Sequence, residues 1–340
     1  MPQKQKITIY DVAERARVAI STVSRVLNNS DDVSPKTRAL VQQAVAELDY
    51  RPDRTARALA KQATQALAVA IPSFTTPFHT ALLKGVRQCL ADEEIDLLLC
   101  DLGSSDRRQV LINFLHRGAV DGLLLVGVQM DDILLQELNT LQAPVVLVGR
   151  PSEYFDSYWW DNFSGAQAAT THLIEQGHQR IGLIKSHLRP LDEDTRFQGY
   201  KAALEQAGLP FDMSLVVTGE TDKHRGYSEE TGVEGMEKLL QLDPPVTAVF
   251  ACSDVQAVGA WRTIIDAGKK VPDDFALVGY DNLKSSHYID LTSVNQRMQA
   301  IGQEAAQMLL DRIQGRKSGE PESNLIKPEL IVRRSSLKEM

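Results

Sequence analysis

Apolar positions in this chain repeat in two ways, and the change falls near residue 65. Before it they return at helical spacing: Val12, Ala13 and Ala16, then Val23 and Val26, then Val41, Ala44, Val45 and Leu48. Punctuation sharpens that reading. Thr8 is an N-cap candidate with Asp11 three residues on, and Arg17-Val18 reads as a tight turn. A second helix then spans about Ile20 to Leu27, and Ser34-Pro35 opens a third. Two short helices joined by a tight turn and propped by a third predict a helix-turn-helix unit.

After residue 65 short unbroken apolar runs take over: Leu67–Ile71, Ile95–Cys100, Gly122–Val128, Val145–Val148, Ile181–Ile184, Leu215–Val217, Val246–Cys252 and Phe275–Val278. Unbroken runs suit parallel strands covered on both faces. Between them lie amphipathic segments such as Phe78–Ala91, Arg107–His116, Ser164–Gln176, Arg196–Ala207 and Val255–Ala267. Strand and helix in alternation predict a doubly wound α/β body, and its length fits two sheets better than one.

The outward face of the second helix carries Ile20, Ser21, Thr22, Ser24, Arg25 and Asn28, with no acid among them. Short hydroxyls, an amide and one guanidinium suit base edges and phosphates in a major groove, although an ordinary helical cap on a larger fold has the same spacing. The segments YDVA, TVSRVLN, VSPKTR and AELDYRPDRTARAL, in this order, closely resemble the head and hinge of the LacI/GalR bacterial transcription regulators. The resemblance implies a head at residues 1–50, a hinge helix and linker at 51–64, and a body at 65–340 like periplasmic sugar-binding proteins. The first subdomain would take about 65–160 plus 292–320, the second about 161–291 plus 321–340. It also implies DNA contacts from Thr8, Ile20, Ser21, Thr22, Ser24, Arg25, Asn28, Ser34, Thr37 and Arg57, with Leu59 as a minor-groove wedge. Two positions depart from the pattern. Arg17 stands where such proteins usually have Gly or Asn, and Ala19 where they usually have a Ser that caps the recognition helix, a cap worth about 1 kcal/mol.

The formal net charge of the 340 residues is −8, which alone argues against nucleic acid. Its distribution changes that. Residues 1–61 hold 11 Lys and Arg against 7 Asp and Glu, a net +4, and the rest holds 26 against 38, a net −12. A basic head on an acidic body fits a protein that meets phosphates at one end. Cys89, Cys100 and Cys252 are scattered in apolar surroundings and read as core residues. With no opening apolar leader and no long apolar span, the expectation is a cytoplasmic protein without membrane contact. GxGxxG after a strand, GxxxxGK[ST], GxSxG, HExxH and CxxC are all absent, so neither enzyme chemistry nor a cofactor or metal is expected.

Ligands of open α/β sheets sit beyond the carboxyl ends of strands. That rule selects Asp281, Ser253-Asp254, and Asp161-Asn162 after the strand Tyr158–Trp160, together with Arg196 at a helix start, Phe78 after a Pro, and Gln296 on a crossover between subdomains. In the family, residues matching Arg196 and Asp281 hold an effector, and a guanidinium with a carboxylate suits vicinal hydroxyls. Phe78 and Trp160 would then face the apolar side of a sugar ring. The plainer alternatives are a turn at Asp281-Asn282, a helix cap at Asp161, and a surface ion pair of Arg196 with Glu193 or Asp194. The resemblance implies a homodimeric repressor on a pseudo-palindromic operator, controlled by a sugar-like effector between the subdomains. Some relatives sense nucleobases or nucleosides instead. A small-molecule binding protein or enzyme without DNA function is the other class.

Overall fold

The structure, a computed structural model, describes residues 7–27, 30, 32–50, 64–103, 106–118, 120–187 and 190–337. The chain divides into two compact units, Met1–Gln65 and Ala66–Met340.

The first unit holds α1 (Ile9–Ala16), α2 (Ile20–Leu27) and α3 (Pro35–Glu47). Thr8 starts α1, its N–H and hydroxyl each donating to Asp11 Oδ2 at 2.7 Å. Arg17 ends the helix in the left-handed region at φ 54°, the tight turn expected there. Ser34 caps α3 by accepting from the Thr37 N–H at 3.2 Å, and Pro35 needs no N–H partner at that position. Val12, Val23, Val26, Val41 and Ala44 form the core, while Val45 and Leu48 are half-buried at its margin. Asn28, Arg57 and Leu59 lie outside the described residues.

The second unit contains two six-stranded sheets. The first is built from β1 (Ala66–Ile71), β2 (Asp96–Asp101), β3 (Gly122–Val126), β4 (Val145–Val148), β5 (Asp156–Trp160) and β11 (Ser323–Ile326), in the order β11-β5-β4-β3-β1-β2. Its helices are α4 (Pro77–Cys89), α5 (Arg107–Leu115) and α6 (Asp132–Thr140). The second has β6 (Ile181–Lys185), β7 (Val216–Thr218), β8 (Ala248–Ala251), β9 (Ala276–Asp281), β10 (Thr292–Asn295) and β12 (Glu329–Ile331), in the order β12-β10-β9-β8-β6-β7. Its helices are α7 (Asn162–Glu175), α8 (Thr195–Gln206), α9 (Glu229–Leu240), α10 (Asp254–Asp266) and α11 (Lys284–Tyr288). A sixteen-residue helix, α12 (Met298–Ile313), packs on the first sheet. Strand order reverses between β1 and β3 and between β6 and β8, the switch points where ligands of doubly wound sheets bind.

Two expectations are corrected. Thr292–Asn295 is not a return to the first subdomain: it pairs with β9 in the second sheet, with Thr292 beside Val278. Ser323–Ile326 does not belong to the second subdomain: it pairs with β5, with Ser323 beside Ser157. The chain therefore crosses after Trp160, after Asn295 and again after Ile326. TSVN and SNLI carry too few apolar residues to read as buried strands, so only pairing reveals them. Ile95–Cys100 is likewise not covered on both faces. As β2 it lies at the sheet edge, where Leu98 and Leu99 are 40% and 47% exposed.

Candidate functional site

Arg196 is the second residue of α8, and the residues before it decide where it points. Asp194 caps the helix by accepting from the Phe197 N–H at 3.3 Å. Its carboxylate also lies 3.4 Å from Lys185 Nζ at the end of β6, and both side chains are almost fully buried. An ion pair this deep persists only when both partners stay matched. Asp194 is thus committed to Lys185, and the surface ion pair with Arg196 does not form. Instead Arg196 Nε donates to Asn162 Oδ1 at 3.0 Å, and Nη1 donates to the Cys252 carbonyl at the end of β8. The guanidinium carbon lies 3.7 Å from the centre of the Tyr280 ring.

Asp281 follows Tyr280 at the end of β9, at φ 111°, a backbone region that side chains rarely occupy. The next turn is held by Asp254, which is buried and accepts from the Leu283 N–H at 2.6 Å, from Ser293 Oγ at 2.6 Å and from Ser286 Oγ. Burial raises the Asp254 carboxyl against these hydrogen bonds. Burial also pushes the Asp281 carboxyl well above the usual range, opposed by the Arg196 charge. Gln296 Nε2 donates to Asp281 Oδ1 at 2.5 Å, and the Gln296 carbonyl accepts from Trp160 Nε1 at 2.8 Å. Hydrogen bonds thus run from Trp160 on the first sheet through Gln296 to Asp281 on the second, and the Arg196 charge acts on the Asp281 carboxyl through space.

On the first sheet's side, Phe78 is half-buried with its ring edge-on to Trp160 at 6.2 Å. Trp160 is only 7% exposed and its N–H is spent, so it backs Phe78 rather than offering a stacking face. His79 follows Phe78 on α4, with Nδ1 2.7 Å from the Thr76 hydroxyl. Burial first, then the Arg107 and His224 charges, bring it down to about 4, against the Ser73 backbone contact and the Asp101 charge. Two selected residues act as caps: Asp161 accepts from the Ser164 N–H at 3.0 Å, and the buried Ser253 accepts from the Gln256 N–H at 3.3 Å. Asn162, Tyr280 and the Cys252 carbonyl join the site through Arg196, and their place depends on which strand ends become neighbours. The histidines of THLIEQGHQRIG pair with hydroxyls, His172 with Ser336 at 2.8 Å and His178 with Thr247 at 2.9 Å. No metal-holding group of His, Cys, Asp and Glu occurs among the described residues.

The first unit presents a separate candidate surface. Ile20 is 40% exposed on α2, Ser21 and Arg25 are exposed, and Thr22 and Ser24 are half-buried. Ala19, which precedes α2, has no polar side-chain atom with which to cap it. Ser34 and Thr37 share a hydroxyl contact of 2.9 Å at the start of α3. Thr8 stands exposed at the start of α1, so three helix N-termini carry hydroxyl residues or open N–H groups suited to phosphate oxygens.

Residues 8–53 match the model of bacterial regulatory proteins of the lacI family, and residues 170–336 match the periplasmic binding protein-like domain. Over 98% of its length the chain is 36% identical to the whole of the HTH-type transcriptional regulator CelR of Thermobifida fusca. It is similar to the solved transcriptional regulator CelR–cellobiose complex, with TM-score 0.69 and 36% identity, covering 97% of this chain and 99% of that one. It is also similar to the lac repressor dimer bound to operator and the anti-inducer ONPF, with TM-score 0.82 and 27% identity, covering 98% of this chain and all of that one.

Proposed function

The chain belongs to the lacI family of bacterial regulatory proteins, DNA-binding transcription regulators rather than enzymes, and from that premise we propose that it is a repressor of carbohydrate-utilisation genes whose operator affinity answers to a sugar. The observation that carries the sugar reading is the placement of Arg196 against Tyr280, where its charge also acts on the neighbouring Asp281 carboxyl. The guanidinium spends Nε and one Nη1 hydrogen inside the protein, and the carboxylate spends Oδ1 on Gln296. Nη2 and Oδ2 have no partner among the described residues. A donor edge beside an acceptor suits neighbouring hydroxyls, which accept from one and donate to the other. Phe78 supplies apolar surface for the ring. The CelR relative's solved structure contains cellobiose, which makes that disaccharide the first ligand to try.

On the head, Ile20 and Ser21 would read base edges, while Thr8, Thr22, Ser24, Arg25, Ser34 and Thr37 would hold phosphates or shared bases. Asn28, Arg57 and the Leu59 wedge complete that proposal outside the described residues. Family members form dimers, and a homodimer places two heads on inverted half-sites of a pseudo-palindromic operator. The exposed leucines of edge strand β2 support a partner there, since a bare apolar edge invites pairing. No helix among the described residues is long and apolar enough to cross a membrane, and a regulator that meets DNA works in the cytoplasm.

A thermal-shift panel of mono- and disaccharides, cellobiose among them, with nucleosides and nucleobases alongside, tests the effector class. A ligand at 100 times its dissociation constant stabilises the folded state by about 2.7 kcal/mol. A sugar should raise the melting temperature of the parent and not of Arg196→Ala. A shift from nucleosides or nucleobases alone would replace the sugar reading with the other effector class.

A further inference from the structure

We propose that Tyr280 is a positioning residue for Arg196, its ring face fixing the plane of the guanidinium so that one terminal edge faces the ligand. The consequence for ligand binding rests on the effector reading above; the positioning is a property of the unliganded protein.

The hydrogen bonds to Asn162 and Cys252 fix two nitrogens, Nε and Nη1. Two points define a line, and the group can still rock about it. The ring centre 3.7 Å from the guanidinium carbon blocks that motion and adds the attraction of a cation for an aromatic face. Tyr280 cannot yield. It is fully buried, lies tilted at 6.4 Å from Phe250, and extends its hydroxyl to Gly165 of α7, where an added Cβ would sit 2.5 Å from the oxygen. That hydroxyl has no hydrogen-bond partner among the described residues. A buried hydroxyl left unpaired is a cost, so the hydrogen bond of a tyrosine is not what this position exploits. Its ring face is. With Asn162 in the plane, Cys252 at one nitrogen and Tyr280 beneath, the Nη edge is the part of Arg196 left to meet a ligand.

The test is nitrogen-detected spectroscopy of full-length protein labelled at arginine, with Arg196→Lys identifying the Arg196 signals by their loss. Without any ligand, the parent should show separate Arg196 Nη signals, from slowed rotation of the guanidinium, and an Hε shifted upfield by the ring. Tyr280→Phe should keep both features, and Tyr280→Leu should merge the Nη signals and lose the shift. Averaged Nη signals or an unshifted Hε in the parent overturn the proposal without recourse to any variant. Separate signals persisting in Tyr280→Leu, or lost in Tyr280→Phe, overturn it as well. With a sugar from the thermal-shift panel, Tyr280→Leu should weaken binding at least tenfold and Tyr280→Phe less than threefold. A panel in which no sugar binds would refute the effector reading and leave the spectroscopic result standing.

Discussion

Burial fixes the working protonation state of several residues near the site. His79 is held neutral, with its folded pKa near 4 against about 6.5 in the unfolded chain. Because the folded value is the lower one, the neutral ring contributes its full stability above pH 6.5. That contribution falls away as pH drops from 6.5 toward 4. Between pH 7 and pH 5 the parent should therefore lose about 2 kcal/mol more than His79→Asn in urea unfolding, with the slope limited to about 1.4 kcal/mol per pH unit. Asp254, raised by burial, contributes with the opposite sign and is present in both proteins, so it drops out of the comparison. Equal losses would show that His79 ionises without cost. At this scale part of the candidate site was legible in the sequence. Arg196 and Asp281 stand out as polar residues at strand and helix ends, and the structure brings them together. Tyr280 and the Cys252 carbonyl were hidden, because an aromatic inside an apolar run and a backbone oxygen look like any other core position.

The elements deliver those residues by close helix packing. Gly199 lets α8 lie against α7: a Cβ there would sit 2.3 Å from the Phe163 carbonyl oxygen, a backbone atom that moves only with its helix. Gly199→Ala should cost about 1–3 kcal/mol, as overpacking does. It should also weaken sugar binding, because Arg196 on α8 bonds to Asn162 on α7. Gly118→Ala, where the new methyl meets nothing within 4 Å, should be near neutral. Urea unfolding and calorimetry on the two variants check both expectations, and a silent Gly199→Ala would mean the helices separate freely. Most elements were legible from periodicity: α2 runs Ile20–Leu27 and β4 runs Val145–Val148, as the spacing predicts. β10, β11 and β12 were not, since short polar strands take their identity from neighbours distant in sequence. β2 read as buried because its leucines carry no sign of which strand forms the edge.

For the whole molecule, the central claim is that a ligand at Arg196 in one unit changes the affinity of the other for DNA. Coupling of this kind is a free energy shared by two sites, so it vanishes when either site loses its ligand. Arg196→Ala should remove the coupling and spare the proposed DNA contacts, whose residues all fall within the first unit. Charge-assisted hydrogen bonds of this kind are worth about 1.5–3 kcal/mol each, so effector affinity should fall well over tenfold. Lys at this position should not restore it, since an ammonium lacks the planar donor edge. The decisive measurement is the fluorescence anisotropy of an operator duplex, selected from random sequence, titrated with parent and with Arg196→Ala, each with and without the sugar giving the largest thermal shift. The account predicts equal operator affinity for the two proteins without sugar, a change of tenfold or more on adding sugar to the parent, and no change for the variant. An equal response to sugar in both proteins would contradict it.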